Sequence, residues 1–182
     1  MTVDVSYEKK ISRFKRSGLL NLWNSIVADD TPEWEAGKAF EYLIPRAFEL
    51  EGAEVRWPYR VNIAGEEIEQ IDGVVYSSGL ACLIECKDTA MKVDAAPIAK
   101  MRNQLLRRPA TTHGIIFSRS GFTDSAIALA GFVAPQTIIL WQGEEIAYAL
   151  KRKFMRQVLA TKYRYCIEHG VQFYNITGEK LP

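Results

Sequence analysis

Apolar and polar positions alternate along this chain with two different periods, and the changes of period mark out its elements. Residues 7–27 carry apolar side chains at helical spacing on an otherwise basic stretch, which predicts an amphipathic helix broken near Gly18. Residues 31–52 predict a second helix. Thr31 is a suitable N-cap, Pro32 suits the first turn, Glu33 and Glu35 suit the positive end of the dipole, and Gly52 suits the stop. Its apolar face is Ala36, Phe40, Leu43, Ala47 and Leu50. Pro45 lies inside it and removes the N–H that would bond the Glu41 carbonyl, so a kink is expected beside Glu41.

After Gly52 the period drops to two. Residues 54–59 and 60–63 read as strands with a turn at Ala64-Gly65. Residues 68–76 and 80–87 read as two strands around Ser77-Ser78-Gly79, a hairpin signal. A helix is predicted over 93–108, with Asp94 as its cap and Pro97 in the first turn. Then come a buried strand at 114–118, a helix at 123–130, a buried strand at 137–141 and a turn at Gln142-Gly143. Residues 144–160 or beyond predict a helix that turns basic, and 171–176 a last strand. This order predicts an α/β fold, a mixed sheet flanked by helices.

The length of 182 residues, 48% hydrophobic and 25% charged, fits one compact domain with terminal elaborations and argues against wholesale disorder. A formal net charge of +1 argues against binding polyanions by bulk charge. That sum conceals segregation. Residues 28–72 hold 12 acidic against 4 basic residues, residues 151–182 hold 7 basic against 2 acidic, and the start is basic at Lys9, Lys10, Arg13, Lys15 and Arg16. Three cysteines, Cys82, Cys86 and Cys166, cannot all pair and are expected to be reduced in a cytoplasmic protein. With only His113 and His169 in addition, they offer too few ligands for a zinc site. The N-terminus lacks the apolar stretch of a signal peptide, and no apolar run approaches the ~18 residues of a membrane span, so no membrane association is expected.

The segment IDGVVYSSGLACLIECKD, residues 71–88, carries the chemistry. Alternation puts Leu83, Glu85 and Lys87 on one face of the strand and Cys82, Ile84 and Cys86 on the other. If Ser78-Gly79 is a two-residue loop, Ser77 faces Leu80 and Asp72 lands opposite Glu85, with β-carbons about 4.5–5.5 Å apart. A slip of one residue would destroy the pairing. Two carboxylates this close need a counter-ion, and hard oxygen donors suit Mg²⁺ or Mn²⁺. An ion there polarises a phosphoryl oxygen and activates a water, while Lys87 orients that water or stabilises the developing charge. These are the requirements of phosphodiester hydrolysis. The flanking positions Val74, Val75, Leu83 and Ile84 are apolar on both faces, and charged groups on so central a strand are costly unless paired or functional.

Asp72 with Glu85-Cys86-Lys87 resembles the core of the PD-(D/E)XK nuclease superfamily, the restriction-endonuclease-like proteins, and the surroundings resemble its Mrr-like branch. Gly37-Lys38-Ala39-Phe40-Glu41 is similar to that superfamily's Gly-x-x-Phe-Glu helix. GIIFSRSGFTDSAIALA, residues 114–130, and TIILWQGEEI, residues 137–146, are similar to the branch's later strand–loop–helix and last core strand. Ile71 stands where the superfamily's name has proline, and Arg108 where RecB-like members have a tyrosine. The resemblance covers about residues 34–150. It implies a restriction-endonuclease-like fold divided into an N-terminal helical extension over 1–30, a nuclease core over 31–150 and a basic C-terminal extension over 151–182 packed on the core. It also implies a metal-dependent endonuclease acting on DNA, in restriction, defence or repair. Asp72, Glu85 and the Cys86 backbone carbonyl would hold Mg²⁺ or Mn²⁺, Glu41 would assist in preference to Glu35, Lys87 would act on the nucleophile, and Gln104 would position substrate. Lys92, Lys100, Arg102, Arg107, Arg108, Arg119, Lys151 and Arg152 fit a track for DNA phosphates. Trp23, Trp34, Trp57 and Trp141 are expected in or against the core. A Holliday-junction resolvase, a non-catalytic DNA-binding or assembly subunit, and an RNA-cleaving toxin are the alternative readings. No recognition domain is visible, so a homodimer or a separate recognition subunit is expected as partner.

Overall fold

A computed structural model describes residues 3–132 and 136–178. Its elements run α1 (Val3–Ser12), α2 (Arg16–Val27), α3 (Lys38–Glu49), β1 (Glu54–Arg56), β2 (Tyr59–Ile63), β3 (Glu66–Ile71), β4 (Gly73–Ser77), β5 (Leu80–Lys87), α4 (Ala96–Leu105), β6 (Thr112–Ser118), α5 (Asp124–Phe132), β7 (Ile138–Gln142), α6 (Gly143–Arg152) and α7 (Met155–His169). Five strands form one mixed sheet in the order β1-β4-β5-β6-β7, and β2 and β3 form a separate two-stranded ribbon. β4 is antiparallel to β1 and β5, while β5, β6 and β7 are parallel. The α/β class and the helix-flanked mixed sheet are as the sequence implies.

Strand alternation sorts the core into two layers. Val75, Cys82, Ile84, Cys86, Ile115, Phe117, Ile139 and Trp141 face α2, α3, α6 and α7. Val74, Leu83, Ile116, Ile138 and Leu140 face α4 and α5. Ile11, Trp23, Met155 and Val158 belong to the first layer, so both terminal extensions share the core of the central region. Trp23 and Trp141 are buried. Trp34 and Trp57 are half-buried in an aromatic stack, Trp34 on Tyr7 at 5.1 Å and Trp57 on Tyr42 at 6.1 Å between ring centres.

Several boundaries depart from the periodicity, some through distant contacts and some through local backbone and capping. The first break falls at residues 13–15, and Gly18 lies inside α2. Arg46 of α3 reaches back to the carbonyls of Ser12 at 2.8 Å and Phe14 at 3.2 Å, satisfying groups that the end of α1 leaves free. Residues 31–37 form turns rather than the first helical turn, and α3 begins after Gly37, whose φ of 79° is left-handed. Helix α3 continues through Pro45. The helix expected from residue 144 is two helices, parted at Lys153 with φ 63°. The Glu51 carboxylate accepts the Met155 and Arg156 amides at 3.0 and 3.1 Å and so starts α7 from across the fold. Gln142 is the N-cap of α6 rather than a turn residue, with Glu145 completing a capping box. Residues 171–176 form no strand; the Gln172 carbonyl accepts only the Leu140 amide, at 3.2 Å, along the outer edge of β7.

The break that matters most lies between β3 and β4. The single strand expected over 68–76 divides at Asp72, with β3 leaving the main sheet to pair with β2. Gly73 permits the crossing, since a Cβ there would come within 3.1 Å of the Arg56 carbonyl and 3.2 Å of the Pro45 ring.

Candidate active site

The β4–β5 hairpin has the register its turn dictates. Ser78 and Gly79 adopt φ of 55° and 80°, the left-handed pair of a tight two-residue turn. Ser77 pairs Leu80, Val75 pairs Cys82, and Gly73 pairs Ile84. Asp72 and Glu85 are the next positions along this register, where the ladder ends. There the Asp72 backbone peels away and its carboxylate takes over the pairing. Asp72 Oδ2 accepts the Cys86 amide at 2.8 Å.

Both carboxylates are buried, Glu85 at 1% and Asp72 at 5% exposure. Glu85 is matched by two ammonium groups. Lys87 lies 2.5 Å from Oε1, and Lys100 of α4 lies 2.9 Å from each oxygen. Among the described residues, the hydrogen-bond partner of Asp72 is the Cys86 amide. Its pKa is pushed up to about 7, first by burial and then by the charges of Glu85 and Glu41, against the opposing pull of the Cys86 amide and Lys100. Burial works against the Lys87 ammonium, yet the Glu85 carboxylate and Asp72 together hold its pKa above the usual lysine value. Burial, then Asp72, Glu41 and Glu85, push the Cys86 thiol well up, so it stays protonated and is neither nucleophile nor thiolate ligand.

A divalent cation suits this donor set, because a buried carboxylate driven toward protonation by two others is one that gains by meeting a cation. Asp72 and Glu85 are the side chains that could hold it, with the Cys86 backbone carbonyl the further donor the resemblance implies. Among the described residues no three Asp, Glu, Cys or His side chains are gathered closely enough to share an ion. Glu41 reaches Asp72 with its charge and helps to raise the Asp72 pKa. It sits in the first turn of α3, 2.5 Å from Lys38. Glu35 is exposed at the turn before α3.

The remaining expected residues fall into two groups. Gln104 is buried at 3% and donates to the Gln70 carbonyl at 3.4 Å, which ties α4 to β3. Buried Glu69 of β3 holds Arg108 at 2.5 Å and is also paired by Arg107, and Arg108 donates to the Gln104 carbonyl. Arg119 is folded inward, 10% exposed, between Asp88 and Asp29 at 2.7 Å each, and it donates to the Ile26 carbonyl at 3.0 Å. Gln104, Arg107, Arg108 and Arg119 hold elements together, a role that sequence pattern does not reveal because their side-chain partners are distant in the chain. Lys92, Arg102, Lys151 and Arg152 are exposed. Lys100 belongs to the site itself through Glu85.

His113 packs on Tyr163 and His169 on Tyr165, apart from the cysteines in any common cluster among the described residues. No described helix is long and apolar enough to cross a membrane.

Comparison with known proteins bears on this arrangement. A family model described as restriction endonuclease, the Mrr catalytic type, matches residues 34–150. The solved structure of a protein of unknown function, AF1548, is similar with a TM-score of 0.50 at 20% identity, covering 72% of this chain and 77% of that one. The restriction endonuclease MspJI, solved in complex with a 27-mer oligonucleotide, aligns at 17% identity and a TM-score of 0.41 over 87% of this chain and 37% of that one. No curated protein matches the chain.

Proposed function

The chain belongs to the Mrr-type restriction endonuclease family, and on that basis we propose that it is a Mg²⁺- or Mn²⁺-dependent nuclease that hydrolyses phosphodiester bonds of DNA. One observation carries the reading: Asp72 and Glu85, both buried, continue one hairpin register with Lys87 2.5 Å from Glu85. A bound divalent cation supplies Lewis acidity toward a phosphoryl oxygen and a more acidic water. The chain's own residues do the rest. The Cys86 amide fixes one oxygen of the Asp72 carboxylate. Lys87, kept charged by Glu85 and Asp72, is positioned to hold the attacking water and to stabilise charge that develops on the phosphate. The apolar flanks Leu83 and Ile84 keep the hairpin rigid beneath them.

The exposed cations Lys92, Arg102, Lys151 and Arg152 are the proposed phosphate contacts, with Arg107 shared between Glu69 and the surface. The test is a cleavage assay with Mg²⁺ on linear duplex DNA, single-stranded DNA, a four-way junction and RNA. Duplex cleavage that disappears with EDTA and in Lys87→Ala supports the proposal. Cleavage confined to RNA, or full activity in Lys87→Ala, overturns it, and cleavage confined to the junction keeps the DNA nuclease but favours the resolvase reading.

A further inference from the structure

Glu85 holds more positive charge than a cation ligand ordinarily carries. A carboxylate offers about four acceptor positions, and three are taken: one by Lys87 on Oε1 and one on each oxygen by Lys100. The two lysines are not equivalent. Lys87 is on the strand beside Glu85 with its side chain 29% exposed, and it bonds one oxygen. Lys100 comes from α4, where Ile98, Met101 and Leu105 fix the helix on the sheet, and its side chain is 46% exposed. It bonds both oxygens, 2.9 Å from each.

We infer that Lys100 is a built-in competitor for the cation. It neutralises Glu85 while the site is free of metal and must release that carboxylate for the ion to bind. The inference rests on the proposed nuclease site and concerns how that site is regulated. Lys100 occupies both oxygens of Glu85, the atoms a cation would need, so ion entry and the Lys100–Glu85 pair exclude one another. The flexible four-carbon stem and the open side of α4 let Lys100 leave without disturbing the core. Lys87 keeps its contact with Oε1, so only one lysine need move. The cost of release lowers the cation affinity of the protein. It also keeps two buried carboxylates from facing each other uncompensated before substrate and ion arrive.

Calorimetric titration of Mn²⁺ into the full chain tests this. Lys100→Gln is expected to bind Mn²⁺ about fivefold more tightly than the unsubstituted protein, which is what a partly exposed ion pair is worth. Lys100→Arg, which keeps the charge, should bind as the unsubstituted protein does, and Asp72→Ala should lose Mn²⁺ binding. In the unsubstituted protein, lysine-ammonium NMR should show the Lys100 signal moving as Mg²⁺ is added, over the range in which the ion binds. If Asp72→Ala loses the ion but Lys100→Gln binds no tighter, or if the Lys100 signal stays fixed, the inference falls and the nuclease site stands. If Asp72→Ala binds Mn²⁺ unchanged, or the unsubstituted protein binds none, the site assignment itself falls and takes the inference with it.

Discussion

The Asp72 carboxylate bonds the Cys86 amide at 2.8 Å, replacing a backbone ladder bond with a side-chain one at the point where β3 departs from β4. This bond costs the protein little in satisfied polar groups. It leaves a buried carboxylate beside Glu85 and within the field of Glu41. The proposed catalytic role and folding stability are opposed at that residue.

Asp72→Asn should therefore abolish cleavage and raise the melting temperature of the metal-free protein at neutral pH. The amide oxygen still accepts the Cys86 N–H, and the charge that burial disfavours is gone. Thermal melts in EDTA beside a Mg²⁺ cleavage assay check both halves. A lower melting temperature would mean that the Asp72 charge is compensated better than its surroundings indicate.

The pH dependence has a defined sign. Burial and its acidic neighbours push the Asp72 pKa up to about 7 in the folded state, from an ordinary value of 3.8. Between these the folded state holds a proton that the unfolded state has lost, so stability falls as pH rises through that window. Urea melts in EDTA should show Asp72 contributing a loss of stability from about pH 4 to about pH 7, which Asp72→Asn removes. A cation competes with the same proton, so Mn²⁺ affinity should rise over the upper part of this window.

Lys162 and Glu145 make a second buried pair, at 1% and 0% side-chain exposure. Burial lowers the Lys162 pKa against the pull of Glu145. Lys162→Met alone should destabilise the protein by about 3–5 kcal/mol, because Glu145 is left buried and uncompensated. The double variant Lys162→Met, Glu145→Gln should recover much of that loss. Denaturant melts of the three proteins measure the coupling.

Cleavage should weaken as salt is raised, and Lys151→Ala with Arg152→Ala should shallow the dependence by up to about 2 in log–log slope. Fluorescence anisotropy with a labelled duplex over a KCl series reads the slope. An unchanged slope would remove both residues from the DNA contact.

The hairpin register was legible in the sequence because a two-residue turn leaves one pairing. Ser78-Gly79 settles where Asp72 and Glu85 sit. The same pattern predicted the face shared by Leu83, Glu85 and Lys87, and it hid the departure of β3 at Asp72. Alternation continues across that break, and only the close approach of Gly73 to Arg56 and Pro45 exposes it. Lys100 read as one of several helix cations, since its contact with Glu85 spans 15 residues between separate elements. Arg119 and Glu51 were opaque for the same reason. Their partners, Asp29 and the Met155 amide, are chosen by tertiary packing and leave no periodic trace.

The Gln172 carbonyl on the Leu140 amide has a consequence for assembly. It occupies part of the outer rim of β7, while the opposite rim of the five-stranded sheet is β1, only three residues long. Short or covered rims discourage strand-to-strand growth between molecules. A second copy of the chain that docks here meets a very short strand at one rim and a partly occupied one at the other, so self-association through this sheet is blunted at both ends.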